Sequence, residues 1–235
     1  MMDNKNTTCV IMQPTYLPWV GYFDLIQKAD VFVFLNDVQF AKQSWQVKNR
    51  IKSQGKELML TLPVKKSPLS TLIKEVQIDN TKKWKQNHLK SIFYNYNKSD
   101  FFNEVYPVLE SLLDHNTTTL AELNIAIIKD ISHRILGEKN FINSCDLAIK
   151  SKDKIDRIIQ ICKAVDATNY LSPKGSIGYL ESMNYEEKFR KAGISFETHE
   201  YLPKEYKQMS SPFTPYLSIV DLLFNKGFET AKSLI

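Results

Sequence analysis

The stretch "CVIMQPTYLPWVGYFDLIQKADVFVFL", residues 9–35, restricts the fold more than any other part of the chain. Its last five residues are a continuous apolar run, the pattern of a strand covered on both faces. Residues 8 to 13 form a second short apolar strand. Between them, Gly21 to Ala29, with Phe23, Ile26 and Gln27 inward, has the spacing of a short helix. Strand, helix and strand within about 30 residues make a βαβ unit, which must be parallel and right-handed. The expected fold is therefore α/β with a parallel-sheet, Rossmann-like core. The intervening loop lies at the carboxyl end of the first strand and feeds a helix N-terminus, where open α/β sheets bind ligands. A loop that only turned the chain would use Gly, Asn or Asp. This one runs from Gln13 over two prolines and presents Tyr16, Trp19 and Tyr22, all candidates for substrate contact.

Further along, "WQVKNRI" and "ELMLTLPV" flank Gly55 as a hairpin, and "LIKEVQI" at 72–78 alternates as another strand. From residue 81 the period becomes helical: Trp84, His88 and Ile92, then Val105, Leu109 and Leu112, then Leu120 to Ile135. Thr119 with Glu122 is a capping box, and Gly137 a stop. Ile155, Ile158, Ile159 and Cys162 mark one more helix, "TNYLSPKGS" and "ISFETHEY" two late strands, and "LSIVDLLFNKG" a final helix with a glycine stop. The 235 residues suffice for one α/β domain, 1–235, with a helical segment at about 81–136.

Composition excludes several classes. The net charge of +5 is mild, and the basic clusters Lys82, Lys83, Lys85 and Lys150, Lys152, Lys154 fall on helix faces, so a nucleic-acid groove is not expected. Three distant cysteines, Cys9, Cys145 and Cys162, read as reduced thiols in a cytoplasmic protein. Cys9 and Cys162 sit in apolar periodic segments, which favours packing over nucleophilic use. The histidines His88, His115, His133 and His199 lack metal-ligand spacing, so no metal is expected. Residues 1 to 8 have no apolar signal core, and no run approaches the roughly 18 residues of a membrane span. Neither a Walker lysine nor a G-x-G-x-x-G fingerprint is present.

Four places can carry chemistry. The opening loop contributes Gln13 and the free N–H groups at Gly21. Asn36, Asp37 and Gln39 end the second strand, and Lys42, Asn49 and Arg50 follow, a mixture of amides for hydroxyls and cations for phosphates. The plain alternative there is a strand-end turn capped by Asp37. "YLSPKGSIGYL", residues 170–180, offers Ser172, Lys174 and Gly175, or else a simple turn. Tyr206 and Gln208 with Ser218 and Asp221 form the fourth group, against Ser218 as an N-cap with Asp221 at N3. His88 is either a base or a packed histidine. If the sheet gathers its strand ends, Gln13, Asp37, Lys42, Arg50 and Ser172 line one cleft.

Taken in order, "QPTYLPWVGYFDLIQKADVFVFLNDVQF", "SWQVKNRIK", "LTLPV", "YLSPKGSIGYL", "YKQ" and "LSIVDLLFNKG" resemble the WbqC-like protein family over nearly the whole chain. Members are encoded in bacterial O-antigen and capsule regions, so the resemblance implies work on nucleotide-linked sugars, with N-acylation or aminoacylation of an amino sugar as the reaction. On that reading the amine is the nucleophile, Asp37 or His88 removes its proton, and Gln13 with backbone N–H groups steadies the oxyanion. Lys42, Arg50 and Lys174 hold the diphosphate. The donor is acyl-CoA or an acyl or aminoacyl carrier protein, and no cofactor is bound permanently. Many members carry His before Gln-Pro, where this chain has Met12. The start of the chain is also similar to nucleotidylyltransferases such as pantothenate synthetase, whose Gly-His pair is Gly21-Tyr22 here. Two alternatives remain open: a non-catalytic module that binds a sugar nucleotide or a pathway partner, and a divergent nucleotidylyltransferase-like enzyme.

Overall fold

The computed structural model describes residues 6–114, 117–151, 153–176 and 184–235. His115, Lys152 and the segment 177–183, which includes the end of "YLSPKGSIGYL", lie outside them. Two compact units divide the chain: 1–13, 24–36 and 139–201 form the first, and 14–23, 37–138 and 202–235 the second.

The first unit is the expected α/β core. β1 (Thr8–Met12), β2 (Val31–Phe34), β3 (Asn140–Asn143), β4 (Asn169–Pro173) and β5 (Ser195–His199) make one sheet, ordered β3-β2-β1-β4-β5. Every pairing in it is parallel. α1 (Val20–Lys28) links β1 to β2, and its residues from Asp24 onward belong to this unit. All four residues of β2 are buried, as its unbroken apolar run requires. One face carries Cys9, Ile11 and Val33 against Ile155, Cys162 and Phe189. On the aromatic side, Phe34 stacks on Phe141 of β3 at 5.3 Å. Each such side chain removed from water contributes about 1.5–3 kcal/mol. Among the described residues the unit also has α5 (Lys154–Ala164), N-capped by Asp153, and α6 (Tyr185–Ala192). Cys9, Cys145 and Cys162 form no disulfide among the described residues. The hydrogen bond with Cys162, together with burial, holds the Cys9 thiol far above its ordinary range, which leaves it inert.

The second unit is a hairpin with helices. β6 (Lys48–Ser53) and β7 (Lys56–Thr61) pair antiparallel around Gln54 and Gly55, both at positive φ (47° and 79°), the twist a two-residue turn needs. α2 (Trp84–Tyr96), α3 (Phe102–Leu113), α4 (Leu120–Leu136) and α7 (Ile219–Leu234) follow the sequence periods. The Thr119/Glu122 capping box and the Gly137 end of α4 form as read.

Two expectations are corrected. Residues 72–78 are not a strand: Ile73–Glu75 is a 3-10 turn, and the segment makes isolated bridges, Gln39 with Leu72, Val64 with Ile78 and Gln77 with Thr119. Weak alternation without a neighbouring strand cannot sustain a ladder. Gly227 stops its helix as read, at φ 71° and ψ 173°, but it does not end the element: a second helical segment follows to Leu234. A Cβ there would lie 2.6 Å from Phe101 Cδ1, so both the angle and the contact require glycine.

Candidate functional site

In the first unit, β1 lies at the centre of the sheet. The chain adds β2 and β3 on one side of it and β4 and β5 on the other. The reversal falls between β1 and β4, the switch point outside which open α/β sheets take their ligands. The ladders around it are unequal. β1 and β2 pair as far as Met12 with Phe34, and β4 and β5 as far as Pro173 with His199. β1 and β4 pair only at Thr8–Asn169 and Cys9–Tyr170. The carboxyl halves of these two strands therefore leave the shared ladder, and Gln13 ends one while Ser172, Lys174 and Gly175 end the other. Gln13 is half-buried, Ser172 buried, and Lys174 and Gly175 exposed. Lys174 pairs with Glu200 at 2.6 Å in solvent, a contact of little net energy that a phosphate can exchange.

The same edge holds an unanticipated pair. Asp24 is 3% exposed on α1, and its carboxylate accepts from His199 Nε2 and from Lys28 Nζ. His199 is the last residue of β5, in register with Pro173, and its side chain is 24% exposed. Lys28 at i+4 was a local hint, since a carboxylate buried in a helix needs a partner. The separation of 175 positions between Asp24 and His199 offers none.

The second unit holds the other candidates, most of them engaged internally. Tyr16 and Tyr22 are fully buried, so they are core groups rather than substrate contacts. Asn49 is also buried: its amide donates to Tyr16 O and Leu17 O (3.2 and 2.8 Å) and its oxygen accepts from Arg50 N. Asn124 similarly donates to Pro14 O and Gln46 O. These clamps hold the opening loop, including Leu17 at φ 42°, so its aromatics and prolines serve packing. Trp19 is half-buried against Tyr216 at 5.6 Å, and its indole covers Gly21, where a Cβ would meet Trp19 Cη2 at 2.2 Å.

His88 is 6% exposed, with Nδ1 against the Tyr16 hydroxyl (2.9 Å) and Nε2 against Thr61 O (3.2 Å). A carbonyl only accepts, so Nε2 carries the proton and Nδ1 takes the Tyr16 hydrogen, which leaves no lone pair for catalysis. Burial lowers its pKa to about 4. The catalytic role for His88 is thereby withdrawn in favour of packing. Arg50 is committed to Glu57 (2.9 and 3.0 Å) and Tyr216 O (3.2 Å), while Gln39 donates to Leu69 O. Asp37 is half-buried and Lys42 exposed. Of the five residues expected to share a cleft, Gln13 and Ser172 belong to the first unit and Asp37, Lys42 and Arg50 to the second.

Tyr206 and Gln208 join a buried network. Asp221 accepts from Tyr96 OH (2.7 Å), Tyr206 OH (2.8 Å) and Gln208 Nε2 (2.9 Å). Gln208 Oε1 accepts from Lys52 Nζ (2.9 Å), which also donates to Thr214 Oγ1 and Pro212 O. Burial raises the Asp221 pKa in spite of its three donors. Ser218 is the N-cap, as the plainer reading held, through Val220 N. Lys52, 2% exposed, went unread because its partners lie 156–162 residues away. Cavities of about 590 Å³ at α6–β5 and about 820 Å³ at α2–α3 contain none of the candidate residues in their linings. No helix among the described residues is long and apolar enough to cross a membrane.

Fold and edge together define an α/β protein with a Rossmann-like core. The chain belongs to the WbqC-like protein family, whose model matches residues 13–233. It is 32% identical over 222 residues to the uncharacterized protein Rv1507c of Mycobacterium tuberculosis, covering 93% of this chain and 94% of that one. No solved structure matches it.

Proposed function

We propose that the chain is an N-acyl or aminoacyl transferase acting on a nucleotide-linked amino sugar in bacterial surface-polysaccharide synthesis. The nucleotide diphosphate would be taken up at the carboxyl edge of the parallel sheet. The observation that carries this reading is the early end of the β1–β4 ladder at the switch point, with Gln13 on one side and Ser172, Lys174 and Gly175 on the other. Exposed Lys174 would trade Glu200 for a phosphate, and backbone N–H groups at Gly175 would add to it. An acyl-CoA or a loaded carrier protein would supply the thioester. The internal commitment of His88 favours a second reading, a non-catalytic module for the same sugar nucleotide.

A melting screen against UDP-, dTDP-, GDP- and CMP-linked sugars tests binding, since a ligand of the native state alone stabilises it by mass action. Lys174→Ala is expected to remove most of the shift, and absence of any shift in the unaltered protein defeats the reading. Mass spectrometry of the bound amino sugar after incubation with acetyl-CoA or an aminoacyl carrier protein separates the two readings. Gain of an acyl group marks the transferase, and binding without gain marks the module.

A further inference from the structure

We propose that His199, oriented by Asp24, is the proton acceptor at the carboxyl edge of the sheet. The assignment rests on the transferase reading and supplies the base that His88 does not. His199 closes β5 in register with Pro173, so it stands one strand, about 4.8 Å, from the strand that bears Ser172. β4 alone lies between it and β1, whose carboxyl half has left the ladder with β4.

The protonation state follows from its partners. An ionised carboxylate only accepts, so the ring nitrogen on Asp24 Oδ2 must carry hydrogen. That fixes Nε2–H and, in the neutral ring, places the lone pair on Nδ1. Lys28 occupies Asp24 Oδ1 and already balances its single charge. The neighbouring charges, Lys174 and Glu200, pair with each other. A proton gained on Nδ1 during reaction creates an imidazolium that faces the buried Asp24 carboxylate. A base held by an orienting group, with no hydrogen bond at its other nitrogen among the described residues and its side chain partly exposed, is the arrangement general-base catalysis requires.

In the reaction, the amine nitrogen of the sugar attacks the thioester carbonyl, and a C–N bond forms as the C–S bond breaks. His199 Nδ1 takes the proton from that nitrogen and returns it to the departing thiolate, so amide and thiol are the products. Asp24 touches no reacting atom and is a positioning residue.

The test uses the full chain and begins with imidazole ¹⁵N resonances at pH 8. One bare and one protonated nitrogen are expected for His199, with hydrogen on Nε2. Asp24→Asn is expected to scramble that tautomer and Asp24→Glu to restore it, a signature that a merely structural ion pair would not produce. Diethyl pyrocarbonate, which acylates neutral imidazole, should modify His199 rapidly, and a bound nucleotide sugar should slow it. His199→Gln keeps a donor for Asp24, so melting temperature and nucleotide-sugar shift should stay unchanged while transfer falls about 100-fold or more. A doubly protonated ring at pH 8, or transfer at the unaltered rate in His199→Gln, overturns the assignment alone. No shift and no transfer in the unaltered protein overturn the transferase reading and this assignment with it.

Discussion

Replacing Lys52 by Met probes a buried polar network of the second unit. Methionine keeps the unbranched stem within β6, so packing changes little while the ammonium is removed. Three acceptors then lose a donor: Gln208 Oε1, Thr214 Oγ1 and Pro212 O. Gln208 Oε1 retains Thr214 N at 2.8 Å and is partly spared. Thr214 Oγ1 is part-buried, so water can recover some of its loss. The carboxylate of Asp221, fully buried, also loses the cation it meets through Gln208. With each acceptor left short of a donor costing about 1–3 kcal/mol, and two of the three partly spared, the loss is about 3–5 kcal/mol. At an m-value of about 2–3 kcal/mol/M, the urea midpoint of this unit should fall by about 1–2 M. Asp221→Asn in the same background removes the uncompensated charge. The double-mutant cycle should therefore show a coupling above about 1 kcal/mol. Urea unfolding followed by circular dichroism reads all four proteins. A loss below about 1 kcal/mol for Lys52→Met, or strict additivity with Asp221→Asn, would show that the network carries no such charge compensation.

Two further outcomes follow from the packed loop. Gly21→Ala forces the Trp19 indole from its place against Tyr216 and should cost about 1–3 kcal/mol, with a changed tryptophan emission; an unchanged unfolding midpoint would contradict that packing. His88 is held neutral by burial with a pKa of about 4 against 6.5 unfolded. Its contribution, at most about 3 kcal/mol, is complete above pH 6.5 and is lost as pH falls towards 4, because the unfolded chain takes the proton first. His88→Gln reproduces the donor to Thr61 O and the acceptor for Tyr16, so stability measured between pH 7 and 4 should flatten. An unaltered acid slope would assign it to other groups.

The sequence alone determined what depends on neighbours along the chain. The apolar run of β2, the hairpin around Gly55, the capping box of α4 and the Ser218 cap are written within a few residues, and the βαβ spacing obliged β1 and β2 to be parallel. The ordered motifs also sufficed for the family. Tertiary structure decided the rest. β3, "NFIN", escaped notice because an edge strand needs apolar residues on one face only, and its ladder with β2 spans more than 100 residues. Tyr16, Asn49 and His88 look like ligand-binding groups as residue types, yet carbonyls and hydroxyls brought by folding use up their hydrogen bonds. Asp24 and His199 carry no paired signal in the sequence, for the converse reason. A lone carboxylate in a helix and a histidine at a strand end acquire meaning only when the sheet sets β5 beside β4 and a buried acceptor meets a ring nitrogen. Local periodicity encodes which face is buried, whereas the partner of a buried polar atom is chosen by contacts that no short window of sequence contains.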